Sequence, residues 1–397
     1  MSSAGDDEEL LVRAAEVVLR SLPDGSAFLR VGSSEAAVSH HTLAILDAFD
    51  RPRTIRDAAA RLPAQGGRDF IDLTTTIFKL RAAGVLVSVA GDPAAWSIDT
   101  GFDASPIHVR MLRDRRRTAS FIAALREVVR PDDVVVDIGT GTGVLAIAAA
   151  HAGASSVFAI ESGEIAARAE AVVRANGLTD RVHVVRGRST RVRLPEPCSV
   201  LVTETLGDDP FGEGLLETVD DAKRRLLRPD ARLIPSAVRL FATAVMAGPR
   251  LADDWFFTPE NLDRFRADYG IDFGSFAVAE PTFVKLTLDE TRDLTPLAPP
   301  APLVEVDLTT AFTPRLEASG DATLHTAGTL DGVLLHFDAQ LSPSERLDAA
   351  PANADADHHW QYVCWLQPRR TRVRAGDALA LSYRYVDGTS RLDVAVR

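Results

Sequence analysis

The sequence predicts an α/β fold in which a doubly wound parallel sheet is followed by an antiparallel β-barrel, with a small N-terminal winged-helix-like domain. Residues 98–236 alternate apolar strand-like runs with helical segments, which is typical of parallel sheets. In residues 237–397 the apolar positions recur with a period of two, as in short antiparallel strands. At 397 residues the chain is too long for one ordinary domain.

The N-terminal domain is expected over residues 1–97. Thr54 is a suitable N-cap for a helix that carries Ile55 and Ala58 on one face. A second helix ends at Gly84, before the strand-like run VLVSV. A helix, a turn, a helix and a short hairpin together predict a mainly helical, winged-helix-like unit.

Four strands of the parallel sheet are predicted at the runs VVVDIG, SVFAIE, VHVVRG and SVLVTE. A long helix follows the fourth run, up to Leu227. In the barrel region, the Pro-rich stretch at 294–303 is predicted to be a connecting loop.

The composition is that of a globular protein with an acidic excess. Apolar residues make up 46% of the chain and charged residues 25%, which excludes extensive disorder. The 44 basic and 56 acidic residues give a net charge of −12, which argues against nucleic-acid and membrane partners. Two cysteines, no signal-peptide pattern and no apolar run of 18 residues predict a cytoplasmic protein. No metal site is predicted.

A glycine-rich loop follows the first predicted strand. Gly139, Gly141 and Gly143 let a bulky ligand lie against the main chain. Asp137 lies two residues before the first glycine, and Glu161 ends the next strand, where a carboxylate can bind both hydroxyls of a ribose. The run GTGVLA can be aligned with a dinucleotide fingerprint. The interpretation that we favour is the S-adenosylmethionine (SAM) pattern of class I methyltransferases, in which the acidic residue faces the methionine amino group.

Two glutamates, Glu204 and Glu213, bracket a glycine-containing loop after the fourth predicted strand. Open α/β sheets bind their ligands at the carboxyl ends of the strands. Facing carboxylates at that edge would orient a cationic nitrogen and stabilise its charge. A solvated acidic loop without function is the alternative.

These motifs together resemble those of the protein arginine methyltransferases over residues 100–397. Glu204 and Glu213, nine residues apart, match the family's double-glutamate loop, and the Gly-Glu-Gly end of the loop resembles a divergent branch. Pro235 lies where that family passes from the sheet domain to the barrel. The positions that match its SAM-binding residues are Asp137, Gly139, Gly141 and Glu161.

An upstream segment, HVRMLRDRRRT, resembles the helix that closes over SAM in that family. The resemblance implies that Arg117 holds the cofactor carboxylate, that Met111 packs near the sulfonium and that His108 belongs to the cofactor site. Ser189 and Thr190 stand where the family has an adenine-facing glutamate, so the adenine contacts are expected to differ.

The run His358-His359-Trp360 resembles the family's Thr-His-Trp loop. An amine must lose a proton as it is methylated, and imidazole titrates near neutral pH. The resemblance implies that His359, oriented by Asp114, accepts this proton, and that His358 and Trp360 belong to the substrate site. A histidine buried in the barrel without a catalytic role is the alternative.

The family's paired tyrosines, which cover the guanidinium, are missing before this helix, where Phe102 and Asp103 stand. A smaller amine is compatible with the same carboxylates. We therefore expect a SAM-dependent N-methyltransferase acting on a peptide amine, such as the terminal amine dimethylated in maturation of a daptide-type ribosomal peptide. The alternatives are a protein arginine N-methyltransferase, a small-molecule amine methyltransferase and a SAM-binding protein without catalysis.

Residues 1–97 resemble two kinds of winged-helix domain. One kind binds the precursor peptide in ribosomal peptide modification, as an added strand in a groove. The other dimerises small-molecule methyltransferases, and both interpretations stay open. Residues 248–285, which contain the run YGID, fall where the arginine methyltransferases have a dimerisation arm, so a homodimer is expected.

Overall fold

A computed structural model of the chain describes residues 105–277, 282–386 and 388–397 continuously, and shorter stretches between residues 11 and 88. The chain divides into two compact units, Met1–Gly101 and Phe102–Arg397. Phe102 and Asp103 lie outside the described residues.

The N-terminal unit contains more β-structure than its helical pattern predicts. Strands β2 (Val18–Ser21), β3 (Ala27–Val31) and β4 (Ser34–Ala37) form an antiparallel meander, and β1 (Leu11–Arg13) pairs with β5 (Leu86–Ser88). The expectation of a mainly helical unit is therefore wrong ahead of the first helix. These strands are short, and a periodic pattern over so few residues is a weak signal.

The helices of this unit follow the meander. They include α1 (Thr42–Ala48) and α2 (Ile55–Ala59). As predicted, Thr54 caps α2, because its hydroxyl accepts a hydrogen bond from the Asp57 amide at 3.1 Å. Buried apolar residues from strands and helices form one core, among them Leu29, Ile45 and Leu80.

A five-stranded parallel sheet is the centre of the second unit, with the strand order β10-β9-β6-β7-β8. Four of its strands coincide with the predicted apolar runs, and β10 was not predicted. Its sequence, LRPDARLI, has apolar residues only at its two ends, so the pattern of a buried strand is missing. The strands are β6 (Val134–Ile138), β7 (Ser156–Glu161), β8 (Val182–Arg186), β9 (Cys198–Thr203) and β10 (Leu227–Ile234).

Five helices accompany this sheet. The one after the glycine loop, of sequence VLAIAAAHA, combines good helix formers with an apolar surface and is largely buried. The helices are α3 (Ser105–Arg113), α4 (Arg115–Val128), α5 (Val144–Ala152), α6 (Ala166–Ala175) and α7 (Leu215–Arg225).

The remaining strands form two antiparallel sheets, one of seven strands and one of three. The first contains β11 (Ala237–Ala247), β12 (Thr282–Leu286), β13 (Leu294–Pro296), β14 (Ala301–Asp307), β16 (Gly328–Gln340), β17 (Arg346–Asp348) and β18 (Tyr362–Val373). The second contains β15 (Arg315–Thr323), β19 (Ala378–Val386) and β20 (Thr389–Val396). The loop predicted at 294–303 thus corresponds in part to β13 and β14, since proline is tolerated in short strands and at strand starts.

The parallel sheet and the antiparallel sheets share one hydrophobic core. Val136 of β6, Phe337 of β16 and Tyr383 of β19 all belong to it. Three short helices, α8 (Pro249–Trp255), α9 (Pro259–Tyr269) and α10 (Leu288–Thr291), lie between strands of the larger antiparallel sheet. Within the described parts of the chain, no helix is long and apolar enough to cross a membrane.

Candidate active site

Asp137 lies at the carboxyl end of β6, beside the glycine loop. It is only 1% exposed, and it accepts a hydrogen bond from the Thr140 hydroxyl at 2.6 Å. Burial, with smaller contributions from the Glu161 and Glu204 carboxylates, raises the pKa of Asp137 to about 7. A cationic group beside Asp137 would favour its charged form.

Glu161 at the end of β7 is fixed by the loops around it. Its Oε2 accepts a hydrogen bond from the Gly141 amide at 2.9 Å, and its Oε1 accepts one from the Gly163 amide at 2.8 Å. Gly141 has a φ of +54°, and a Cβ atom there would lie 3.3 Å from His108 Cε1. Glycine is therefore required at this point, and the close approach brings His108 against the loop.

A cavity of about 300 Å³ extends from the glycine loop along the carboxyl edge of the sheet. It joins residues that are far apart in the sequence. Its lining includes Gly139, Ser162, Ser189, Thr190, Glu213 and Glu217. The predicted cofactor loop and one of the two predicted acceptor carboxylates therefore face the same space.

The predicted helix around His108 is divided in two at Asp114. The Asp114 carboxylate caps α4 by accepting a hydrogen bond from the Arg117 amide at 3.0 Å. Arg117 Nη1 donates to the Met111 carbonyl at 2.8 Å, and Nη2 forms a buried ion pair with Glu204 Oε2. Arg117 Nε is buried and has no hydrogen-bond acceptor among the described residues, so one donor of this guanidinium is left for a further anionic group.

Asp114 also contacts His359. Asp114 Oδ2 lies 2.9 Å from His359 Nδ1 and accepts a hydrogen bond from the His359 amide at 3.2 Å. Burial alone would raise the pKa of Asp114, but hydrogen bonds from the His359 side chain and the Arg117 amide outweigh it and hold that pKa below its ordinary value. The carboxylate therefore stays charged and orients the imidazole.

His358 lies farther from that carboxylate. Its Nδ1 is 3.9 Å from Asp114 Oδ2, and its ring stacks on Tyr362 with 5.4 Å between the ring centroids. Burial lowers the pKa of His358, and the Asp114 carboxylate only partly offsets this. Neither His358 Nε2 nor the Tyr362 hydroxyl has a partner within the described chain.

The acidic loop between Glu204 and Glu213 is held by Trp360, in the loop before β18, and by Lys285 of β12. Trp360 Nε1 donates to the Leu206 carbonyl at 2.6 Å. Lys285 Nζ of β12 lies 2.8 Å from Asp208 Oδ2. These contacts join residues from three separate parts of the sequence, and the sequence motifs gave no signal for Lys285.

Two tyrosines of β19 contact this loop and the helix that follows it. Tyr383 is fully buried, and its hydroxyl donates to Asp209 Oδ2 at 2.9 Å. The Tyr385 hydroxyl donates to Glu217 Oε2 at 2.8 Å. Neither tyrosine was predicted as a site residue, because in sequence both have the pattern of barrel core positions.

Glu213 is an exposed side chain that lines the cavity. Partial loss of hydration, followed by the nearby carboxylates of Glu204 and Asp208, raises the pKa of Glu213 to about 8. Lys285 and Arg117 partly offset the shift. Of these three carboxylates, Glu204 pairs with Arg117 and Asp208 with Lys285, so Glu213 is the one that faces the cavity for a cation.

The residues present fit SAM. The buried, unpartnered Arg117 Nε suits the cofactor carboxylate, and the buried Asp137 suits its ammonium group. Glu161, fixed at the end of β7, can accept the ribose hydroxyls. Within the described residues, no group of three His, Cys, Asp or Glu side chains is placed to bind a metal ion.

Comparisons with known proteins agree with this chemistry. The family model of ribosomal protein L11 methyltransferase (PrmA) matches residues 115–238. The arginine N(omega)-methyltransferase of Streptomyces achromogenes subsp. streptozoticus is 31% identical over 292 residues, which cover 72% of this chain and 78% of that protein. The probable protein arginine N-methyltransferase 6 of Arabidopsis thaliana is 30% identical over 236 residues, and the match spans 52% of its length.

Two solved structures have a similar fold. The Trypanosoma brucei PRMT1 enzyme-prozyme heterotetrameric complex with AdoHcy superposes with a TM-score of 0.62 at 22% identity, covering 74% of this chain and 98% of that one. Arabidopsis thaliana protein arginine methyltransferase 10 superposes with a TM-score of 0.59 at 22% identity, covering 75% and 94%. Through its sequence match to the Streptomyces protein, the chain belongs to the arginine N-methyltransferase family, and it is a SAM-dependent N-methyltransferase.

Proposed function

We propose that this enzyme methylates a guanidinium nitrogen of arginine, either free or within a peptide. The observation that carries the proposal is that Glu213 lines the same cavity as Gly139 of the cofactor loop. A cation bound to Glu213 is then adjacent to the bound cofactor. The name of the Streptomyces relative, arginine N(omega)-methyltransferase, supports the same acceptor.

The cofactor is proposed to be held by three charged side chains. Asp137 binds its ammonium group, Glu161 its ribose hydroxyls and Arg117 its carboxylate. Bound SAM supplies an electrophilic methyl group on a sulfonium. The protein contributes by bringing a nitrogen lone pair into line with that methyl group and by excluding water.

Glu204 and Glu213 are proposed to bind and orient the guanidinium. Glu204 is already positioned by its ion pair with Arg117. Glu213, with a pKa raised to about 8, loses its proton when a cation approaches, because the positive charge favours the carboxylate. The two carboxylates then stabilise the positive charge of the acceptor from fixed positions.

His359 is proposed to accept the proton that the nitrogen releases. Its Nδ1 is engaged by Asp114 at 2.9 Å, which leaves Nε2 as the atom that takes up the proton. The negative charge of Asp114 stabilises the imidazolium that results. Trp360, whose ring centroid lies 4.1 Å from that of His359, limits the movement of the imidazole.

The terminal amine of a peptide is the second candidate acceptor. It is supported by the meander in the N-terminal unit, where β2 and β4 are edge strands. Edge strands accept an extended peptide through main-chain hydrogen bonds. If the terminal amine is the acceptor, residues 1–97 are a winged-helix-like module that recruits a ribosomally made precursor peptide.

A homodimer formed through residues 248–285 is part of the proposal. This arm exposes apolar side chains that a monomer has no reason to display together. Phe257, Phe273 and Phe276 form an aromatic cluster with ring-centroid distances of 5.0 and 6.4 Å, and Tyr269 is 65% exposed. A second copy of the chain is the proposed partner of this surface.

The acceptor can be tested with the full chain, methyl-labelled SAM and three substrates. These are L-arginine, a peptide with one internal arginine and a blocked N-terminus, and a peptide with a free N-terminus and no arginine. Tandem mass spectrometry locates the label, and the Glu213→Gln variant is the negative control. We expect methylation of the guanidinium; label only on the terminal amine would refute the first candidate in favour of the second.

A further inference from the structure

Glu217 of α7 lines the same cavity as Gly139 and Glu213. It has no part in the proposed methyl transfer. Its two carboxylate oxygens lie 3.0 and 2.8 Å from the Tyr385 hydroxyl. One phenol has a single proton, so it satisfies only one of the several lone pairs of the carboxylate. Glu217 therefore keeps acceptor capacity towards the cavity.

The Tyr385 hydroxyl holds the Glu217 carboxylate in place. Gly214, which also lines the cavity, would carry a Cβ atom 3.8 Å from Glu217 Oε2. Tyr385 is fully buried in the antiparallel sheet, so the group that holds Glu217 is itself rigid. The Glu217 carboxylate is thus held by the buried phenol of Tyr385.

The polar groups that line the cavity include donors and acceptors of the kind that an aminopurine needs. Ser189, Thr190 and Thr218 supply hydroxyls, which both donate and accept hydrogen bonds. A charged carboxylate only accepts, so it distinguishes an amino group from a carbonyl oxygen on the base. Among the described residues that line the cavity, Glu213 and Glu217 are the acidic ones, and Glu213 is engaged by the methyl acceptor in the proposed function.

We propose that Glu217, held by Tyr385, accepts a hydrogen bond from the exocyclic amino group of the cofactor adenine and so selects an adenosine over a 6-oxopurine cofactor. This assignment rests on the proposed function, in which the ribose lies at Glu161. It supplies the acidic adenine contact that Ser189 and Thr190 do not provide.

The test is a binding measurement without turnover. Titration calorimetry on the full chain compares S-adenosyl-L-homocysteine with S-inosyl-L-homocysteine, which has a carbonyl oxygen in place of the amino group. Wild type is expected to prefer the adenosyl compound by at least about tenfold, the usual effect of a hydrogen bond to a charged group. Glu217→Gln should reduce this preference to a few-fold, since an amide can also donate to the carbonyl.

Three further variants make the outcome decisive. Tyr385→Phe keeps the Glu217 carboxylate but removes the hydroxyl that holds it. This variant should reduce the preference for the adenosyl compound by a smaller factor than Glu217→Gln does. Asp220→Asn on the same helix is the matched control and should leave the preference unchanged. Glu161→Gln should weaken both compounds equally.

The results distinguish the role of Glu217 from the placement of the cofactor. An unchanged preference in Glu217→Gln, or an equal loss of affinity for both compounds, overturns the role of Glu217. Should Glu217→Gln fail to fold, an unchanged preference in Tyr385→Phe overturns it. If Glu161→Gln leaves both affinities as in wild type, the cofactor placement itself fails, and the proposed function with it.

Discussion

Asp114 Oδ2 lies 2.9 Å from His359 Nδ1, while the other oxygen of the same carboxylate caps the helix that carries Arg117. Arg117 in turn pairs with Glu204 of the acidic loop. One carboxylate therefore fixes both the proposed proton acceptor and the first turn of the helix that supports the acidic loop. The described contacts make these parts of the site depend on one another.

Asp114→Asn should separate the two roles of Asp114. Asparagine is as good an N-cap as aspartate, but it does not stabilise an imidazolium. We expect kcat to fall on the order of 10²-fold, the usual contribution of a positioned general base, with little change in the thermal midpoint. Methyl transfer followed by mass spectrometry measures the first effect, and a normal kcat would contradict the role given to His359. Asp180→Asn, at an exposed position, is the control.

Cofactor affinity should depend on pH through Asp137. Its pKa of about 7 in the protein without cofactor means that below pH 7 the group must first lose its proton to receive an ammonium. The association constant of S-adenosyl-L-homocysteine should therefore rise between pH 5 and 7, by at most about tenfold per pH unit, and then level off. Asp137→Asn should bind weakly and without this rise; a rise of the same size in the variant would assign it to another group.

Glu213 should destabilise the free protein as the pH rises. Its folded-state pKa of about 8 exceeds its ordinary value of 4.5, so between these values the unfolded chain has released a proton that the folded chain retains. The free energy of unfolding then falls as the pH rises through this window. Glu213→Gln lacks this loss, and should gain in thermal midpoint over wild type between pH 5 and pH 8. A constant difference across that range would be inconsistent with a raised pKa.

Tyr383→Phe should weaken the support of the acidic loop. It removes the hydroxyl that donates to the half-buried Asp209 at 2.9 Å, and the loss of such a hydrogen bond costs about 0.5–1.5 kcal/mol. Urea unfolding should show this loss of stability. Tyr362→Phe is a matched control, because the Tyr362 hydroxyl is buried without a partner, and it should be neutral or slightly stabilising. Equal losses of stability in both variants would mean that the hydrogen bond of the Tyr383 hydroxyl does not stabilise the protein.

The sequence predicted those parts of the fold that depend on short, strongly patterned segments. The runs that became β6, β7 and β9 are mostly apolar, as buried parallel strands require. Because such strands end at one edge of the sheet, Asp137 and Glu161 could be assigned to one site before their positions were known. The predictions of a SAM-dependent N-methyltransferase and of SAM as its cofactor are confirmed.

What the sequence did not predict are contacts between distant segments. The Arg117–Glu204 pair joins residues 87 positions apart, and the Tyr383–Asp209 hydrogen bond joins residues 174 apart. No local periodicity encodes such pairs, because they arise only when separate elements pack together. Glu217, which we propose contacts the adenine, gave no signal in the sequence, since on an amphipathic helix an acidic residue has the pattern of an ordinary solvated position.

The measurement that tests the account most directly is the single-turnover rate of methyl transfer in Glu213→Gln, together with its affinity for S-adenosyl-L-homocysteine. Glu196→Gln, at an exposed position, is the control. If Glu213 holds the methyl acceptor beside the cofactor, the rate should fall on the order of 10²- to 10³-fold, while the affinity stays within a few-fold of wild type. A rate like that of wild type, or an equal loss of rate and affinity, would contradict the central claim.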